Sequence, residues 1–199
     1  MLWCVISHLR SLYDIWRSII LSPMKLVFIR HTSVNVPKGV CYGNTDVELA
    51  SSFLQEAQAV KDKISEYRFG KTFCSPLSRC VKLAEFCGYP EAIKDNRLKE
   101  INFGEWEMQS YDAIKDPTLQ AWFNDYINVR PPQGESVIDQ RKRLEDFITE
   151  LKGKYGESLV GIFTHGGILI NALVAYGNKT YDEVYNDIPP YGSIIEIEV

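Results

Sequence analysis

Two of the three histidines in the chain each follow a short apolar run directly. Arg30-His31-Thr32 comes after Lys25–Ile29, and Thr164-His165-Gly166-Gly167 comes after Leu159–Phe163. Such runs, bounded by turn residues, read as buried strands, and ligands in α/β sheets bind outside the carboxyl ends of the strands. Attack on a phosphate monoester needs a nucleophile, positive charge around the non-bridging oxygens and an acid for the leaving oxygen. His31 offers a nitrogen nucleophile if a bond to its other ring nitrogen fixes the tautomer. Arg30 is its neighbour. Arg79 follows Ser75-Pro76-Leu77-Ser78 at the start of a predicted helix, where the helix N-terminus adds partial positive charge. His165 ends another strand, and Gly166-Gly167 lets backbone approach a ligand closely. Taken singly, each feature has a structural explanation: a satisfied core histidine, a solvated arginine, an easy strand-to-helix turn. Four of them at predicted strand ends, all suited to one anion, point to a histidine nucleophile and an anionic substrate.

The elements that must position these groups alternate. Strands are expected at Lys25–Ile29, Thr72–Cys74, Ala92–Lys94, Leu159–Phe163 and Ile194–Val199. Helices are expected over Leu49–Tyr67, from a cap at Ser78 to about Cys87, from Ser136 to about Lys152, and over Gly166–Tyr176. Alternating strands and helices imply an α/β protein with three layers, a largely parallel central sheet and helices on both faces. Asn96–Trp106 reads as irregular. Asp112–Val129 carries Leu119, Trp122, Phe123, Tyr126 and Ile127, fits strict alternation poorly, and reads as a small helical cap around residues 110–130.

At 199 residues the chain suits one domain. A net charge of −4 argues against a nucleic-acid partner, which calls for a basic face, but leaves room for a small phosphorylated substrate held by a local arginine cluster. The five cysteines form no CxxC pair, so they read as small buried hydrophobes of a reducing, cytoplasmic protein rather than as disulfides or a zinc site. Residues 1–23 are apolar but broken by His8, Arg10, Asp14 and Arg17, too interrupted for a membrane span. They read as an extension, helical or disordered, ahead of a domain over residues 24–199. The alternative is an amphipathic helix for a membrane surface or a partner. No membrane partner, metal or cofactor is expected, and the assembly is expected to be a monomer or homodimer.

The three motifs Arg30-His31-Thr32, Ser75-Pro76-Leu77-Ser78-Arg79 and Thr164-His165-Gly166-Gly167, in this order, resemble the histidine phosphatase superfamily with its phosphoglycerate mutase-like fold. Asn102-Phe103-Gly104-Glu105-Trp106-Glu107 resembles that family's FGxWE segment, and Pro132-Gln133-Gly134-Glu135-Ser136 its PxGES segment. The resemblance runs from about Met24 to the end. Val40-Cys41-Tyr42-Gly43-Asn44-Thr45-Asp46-Val47 resembles the CYGxxDV stretch of α-ribazole phosphatases, which remove the 5′-phosphate of α-ribazole phosphate late in cobalamin nucleotide-loop assembly.

This resemblance implies a metal-independent phosphomonoester hydrolase. His31 becomes phosphohistidine, and Arg30, Arg79 and a protonated His165 clamp the phosphate. The residues alone do not choose among Glu100, Glu105 and Glu107 for the proton donor; the resemblance selects Glu100. Family mutases carry Asn six residues after the nucleophile, where this chain has Pro37, and Asn35 is the candidate to replace that phosphate contact. Tyr42, Gly43, Trp106 and Gly166 complete the expected substrate-binding set. The rival readings are a phosphatase of the same fold acting on sugar phosphates or other small esters, and a non-catalytic module that binds a phospholigand.

Overall fold

The computed structural model describes residues 23–156 and 158–199. The expected N-terminal extension, Pro23 aside, lies outside the described residues. Five strands form one sheet: β1 Lys25–Arg30, β2 Lys71–Cys74, β3 Ile93–Lys94, β4 Leu159–Thr164 and β5 Ile194–Glu198. Their spatial order is β3-β2-β4-β1-β5. Every pairing is parallel except β1 with β5, which is antiparallel. The helices are α1 Phe53–Ile64, α2 Ser78–Phe86, α3 Thr118–Asn124, α4 Val137–Tyr155, α5 Gly166–Tyr176 and α6 Tyr181–Asn186.

Alternate residues of each strand go to opposite faces, which sorts the core into two layers. Leu26, Phe28, Phe73, Val160 and Ile162 pack on Leu144, Phe147 and Ile148 of α4 and on Ile168, Leu169 and Ala172 of α5. Val27, Ile29, Cys74 and Phe163 pack on Ala57, Val60 and Ile64 of α1 and on Cys80, Leu83 and Ala84 of α2. The result is the three-layer, largely parallel α/β arrangement expected from the alternation. The four described cysteines are unpaired and buried. No helix among the described residues is long and apolar enough to cross a membrane.

The sheet order positions the chemistry. β4 is last of the parallel strands in sequence but is inserted between β1 and β2. In register, Arg30 pairs with Thr164, and Cys74 with Phe163. The residues just beyond these pairs are His31, His165 and Ser75, so three strand ends open side by side.

Several boundaries differ from expectation. α1 starts at Phe53 rather than Leu49, because residues 49–50 pair with the loop after β1: Val34 bridges Leu49, and the Ala50 amide donates to the Ser33 carbonyl. Ser78 is the first residue of α2 rather than its cap, a position Leu77 holds. Asp46, from a distant loop, accepts hydrogen bonds from both the amide and the hydroxyl of Ser78 and so caps the helix from outside. Ser136 caps α4 in a capping box with Asp139. α6 is not among the expected helices, although Thr180 and Glu183 form the same kind of box. Over the expected cap region, a 3₁₀ turn at Tyr111–Ala113 precedes α3, and a separate small cluster of Cys41, Trp106 and Ile114 packs with Phe103, Tyr111, Leu119 and Trp122.

Candidate active site

His31 and His165 face each other with ring centroids 5.1 Å apart. Both are nearly closed off from solvent, at 2% and 0% exposure. His31 Nδ1 lies 2.7 Å from the Thr32 carbonyl oxygen. A carbonyl only accepts, so Nδ1 carries the hydrogen and the Nε2 lone pair is left for attack. Burial, then the Arg79 charge, lowers the pKa of His31 well below the ordinary 6.5, so the ring is neutral and nucleophilic at neutral pH.

His165 differs from the expected protonated clamp. Arg79 Nε donates to its Nδ1 at 3.3 Å, and its Nε2 lies 2.7 Å from Ser75 Oγ. A guanidinium only donates, so Nδ1 is unprotonated and Nε2 carries the single ring hydrogen. Burial and the adjacent Arg79 charge lower its pKa well below 6.5 as well. His165 is therefore a neutral ring that orients Arg79, and the positive charge of the site resides on arginine.

Arg79 is fully buried on the first turn of α2. Its Nη1 and Nη2 donate to the carbonyls of Thr45 at 2.9 Å and Gly43 at 2.6 Å. The loop presenting those carbonyls is held by Glu107, whose carboxylate accepts from the amides of Gly43, Asn44, Thr45 and Phe103 at 2.8 to 3.2 Å. Burial alone would raise the Glu107 pKa, but these hydrogen bonds outweigh it and hold the carboxyl below its usual range. Gly43 is required by close approach: a Cβ there would sit 1.9 Å from the Ile101 carbonyl oxygen. Gly43 thus holds Arg79 through its backbone rather than lining the leaving-group side.

Arg30 closes the other flank. Its Nη1 donates to the Pro189 carbonyl, its guanidinium lies 4.3 Å from the Tyr191 ring centroid, and its buried Nε has no partner among the described residues. Gly166 lies under it, since a Cβ at that position would be 3.0 Å from Arg30 Cζ. Tyr191 was not anticipated, and nothing in its local sequence distinguishes it. Its ring is 5.5 Å from His31, and its hydroxyl shares a 2.6 Å hydrogen bond with that of Tyr42. The Tyr42 ring in turn faces Arg79 at 5.8 Å, so the two phenols bridge the two guanidiniums.

Glu100 lies at the start of α5. Its Oε1 accepts from the Ile101 amide at 2.9 Å and Gln140 Nε2 at 3.0 Å, and its Oε2 from the Gly167 amide at 3.1 Å. A side chain at Gly167 would collide with that carboxylate, with a Cβ 2.3 Å from Oε1. Arg143, paired with Glu135 at 2.7 Å, donates to the backbone carbonyls of Arg97 and Glu100 and fixes this segment. Glu105 is at the rim, bonded to Gln133, while Glu107 serves the Arg79 loop.

Beside Glu100 opens a cavity of about 500 Å³ lined by Phe103, Tyr111, Trp122, Phe123, Tyr126 and Tyr185, with Gln140 and Gly167 at its polar end. Trp106 is 1% exposed and packs under Trp122 at 5.8 Å, with its indole N–H on Asp116. It supports the aromatic wall but is too buried to touch a substrate. Asn35 is exposed, and its side chain has no hydrogen-bond partner among the described residues; its backbone amide is held by the Glu48 carbonyl. Among the described residues no group of three or more His, Cys, Asp or Glu side chains is placed to hold a metal.

Known proteins resemble this chain in sequence and fold. An adenosylcobalamin/α-ribazole phosphatase of Salmonella typhimurium is 27% identical over 154 residues, which are 73% of this chain and 76% of that protein. Phosphoserine phosphatase 1 of Hydrogenobacter thermophilus is 23% identical over 150 residues, 71% of either chain. Among solved structures, a phosphoglycerate mutase from Thermus thermophilus superposes with a TM-score of 0.69 at 27% identity, covering 87% of this chain and 92% of that one. A mycobacterial glucosyl-3-phosphoglycerate phosphatase shares the fold with a TM-score of 0.76 at 20% identity, covering 87% and 89%. The family model of the histidine phosphatase superfamily (branch 1) matches residues 26–199, and the chain belongs to that superfamily as a phosphatase.

Proposed function

We propose that this phosphatase removes the 5′-phosphate of α-ribazole phosphate through a phosphohistidine at His31. The observation that carries the substrate is the aromatic cavity beside Glu100, whose six aromatic side chains suit a flat, apolar leaving group such as a benzimidazole nucleoside. The similarity to the Salmonella enzyme and the Val40–Val47 stretch support the same choice.

In the first half of the cycle, His31 Nε2 attacks phosphorus in line as the bond from phosphorus to the ester oxygen breaks. The electron pair of that bond goes to the oxygen, which takes a proton from Glu100. Arg30 and Arg79 balance the charge on the non-bridging oxygens. In the second half, Glu100 accepts a proton from water as the water oxygen bonds to phosphorus. The nitrogen–phosphorus pair returns to His31, and phosphate leaves. His165 keeps Arg79 aimed, and charge neutralisation falls to guanidinium groups, so EDTA is expected to leave the rate unchanged.

His31→Ala should reduce turnover of p-nitrophenyl phosphate by at least about 10⁴-fold, the scale of losing a nucleophile. Wild-type enzyme mixed with ³²P-labelled substrate and quenched in alkaline detergent, where the phosphorus–nitrogen bond survives, should carry ³²P on residue 31. Normal turnover in the variant, or label on another residue, would remove this reading. Comparing kcat/KM for α-ribazole phosphate, 3-phosphoglycerate and a phosphopeptide tests the substrate. A preference for 3-phosphoglycerate would transfer the assignment to small sugar-type phosphates, and binding of all three without turnover would indicate a phospholigand-binding module.

A further inference from the structure

Glu100 ends a buried chain of side chains that no reaction step has yet used. Tyr181 Oη lies 2.8 Å from Asn171 Oδ1, Asn171 Nδ2 lies 3.0 Å from Gln140 Oε1, and Gln140 Nε2 lies 3.0 Å from Glu100 Oε1. Gln140 is 1% exposed and Asn171 0%. They face each other between α4 and α5, close in sequence to Leu144, Ile168 and Ala172 of the apolar core. Two amides in that position lose hydration that a pair of leucines would not, and burying them is tolerable only because their polar groups find partners.

The chain has a direction. At its near end Gln140 Nε2 also faces the Lys99 carbonyl at 3.5 Å. A carbonyl only accepts, so this atom is the amino nitrogen, and the Gln140 carbonyl oxygen is turned to Asn171. The Asn171 atom facing Tyr181 is then the carbonyl oxygen, and its amino group faces Gln140. The same logic turns the Gln140 amino group towards Glu100. Each link donates towards the carboxyl, and neither amide can flip without setting two acceptors or two donors against each other.

The two oxygens of Glu100 are left unequal. Oε1 takes two N–H donors, from Gln140 and Ile101, while Oε2 takes one, from Gly167. Neither donor at Oε1 can accept a hydrogen, so a proton on Oε1 would displace one of them. Oε2 has the spare lone pair. We propose that Gln140 and Asn171 are positioning residues: they stop the Glu100 carboxyl from rotating and reserve Oε2 as the oxygen that carries the transferred proton. This rests on Glu100 being the proton donor.

The test separates the two claims by leaving group. A nitrophenolate leaves without a proton, whereas the alkoxide of benzyl phosphate needs one, and kcat/KM reports the step in which the leaving group departs. Glu100→Gln should lower kcat/KM for benzyl phosphate by ~10²-fold or more and much less for p-nitrophenyl phosphate. Gln140→Met and the isosteric Gln140→Glu should show the same selectivity at ~10-fold, in kcat rather than KM, with the melting temperature as the check on folding. Tyr181→Phe, which removes a link at a half-buried position, should show it at ~2- to 3-fold and serves if the Gln140 variants do not fold. An equal loss on both esters in Glu100→Gln overturns the proton-donor assignment. Selectivity in Glu100→Gln with none in folded Gln140 and Tyr181 variants overturns the positioning role alone.

Discussion

Around His165 the polar atoms are committed. One ring nitrogen accepts from Arg79 and the other faces Ser75, while Arg79 gives one N–H from each terminal nitrogen to a loop carbonyl that Glu107 holds in place and keeps the other two for an anion. Beside Glu100, the aromatic cavity is walled by six rings whose mutual contacts tolerate a range of angles, from near-parallel Tyr111–Trp122 at 19° to steep Phe103–Trp122 at 74°. The first region rests on strand ends and a helix start. The second rests on 3₁₀ turns and two short helices, α3 and α6. Hydrogen bonds to charged groups fix direction as well as distance, whereas apolar contact is non-directional. On the proposed mechanism, the phosphate end sets the reaction and the aromatic end is free to set which ester enters.

The widest separation between the two ends should appear in Arg79→Met, which keeps the apolar stem and removes the guanidinium. We expect a loss of about 10³-fold in kcat/KM, or about 4 kcal/mol, of similar size for every phosphate ester. The pH profile should move too. Arg79 lowers the pKa of His31, and the nucleophile must be neutral, so wild-type activity should persist below pH 6.5 and fall only as His31 protonates. Without Arg79 that acid limb should rise towards 6.5. A loss confined to esters with aromatic leaving groups would erase the division of labour.

Glu107→Gln tests whether the phosphate end depends on its loop. Removing the charge that gathers four backbone amides should cost about 1.5–3 kcal/mol of stability, measurable by urea denaturation, and lower activity as Arg79 loses its carbonyl partners. Unchanged stability would show that the loop stands without it.

The same contrast decides how much could be read from the sequence. His31, His165, Arg30 and Arg79 were legible because each directly follows or opens an element whose periodicity is local. The sheet was legible for the same reason, although the antiparallel course of β5 was not, since nothing in Ile194–Glu198 encodes its direction. Gly43 and Tyr42 belong to the expected substrate-binding set, but their contacts are not readable from the sequence. Their partners, Arg79 and Tyr191, are 36 and 149 positions away, and spacing along the chain carries no trace of such contacts. Trp106 was placed on the substrate because aromatics near a site look alike until burial is known; here Trp122 and Phe103 line the cavity and Trp106 lies behind. Glu107 is hidden by separation along the chain too, since three of the four amides it gathers lie in the distant loop of Gly43, Asn44 and Thr45.

Acid should weaken the phosphate end selectively. Both buried histidines resist protonation in the folded state, whereas in the unfolded chain they titrate near 6.5. Below that pH the unfolded state binds more protons, so stability is lost as pH falls from 6.5 towards the lowered folded values. Each histidine contributes a slope of up to about 1.4 kcal/mol per pH unit. Unfolding free energies at pH 6.5, 6.0 and 5.5 should therefore decline, and His31→Asn should remove up to half of that slope. A flat profile would mean that both rings take up protons in the folded protein as readily as in the unfolded chain.

The smallest effect should be the most selective. Phe123 lines the cavity from α3 yet is 52% exposed, so Phe123→Ala should barely alter stability. Losing one aromatic face beside a bound planar leaving group should raise KM for such esters by about 5- to 10-fold, about 1–1.4 kcal/mol, with kcat little changed. Small phosphates that leave the cavity empty should be processed as by the wild type. The informative measurement is the ratio of kcat/KM for α-ribazole phosphate to that for a small alkyl phosphate. If that ratio holds constant in Phe123→Ala while both values fall, the cap affects the phosphate end itself, and the aromatic wall is a support for catalysis rather than a selector of substrate.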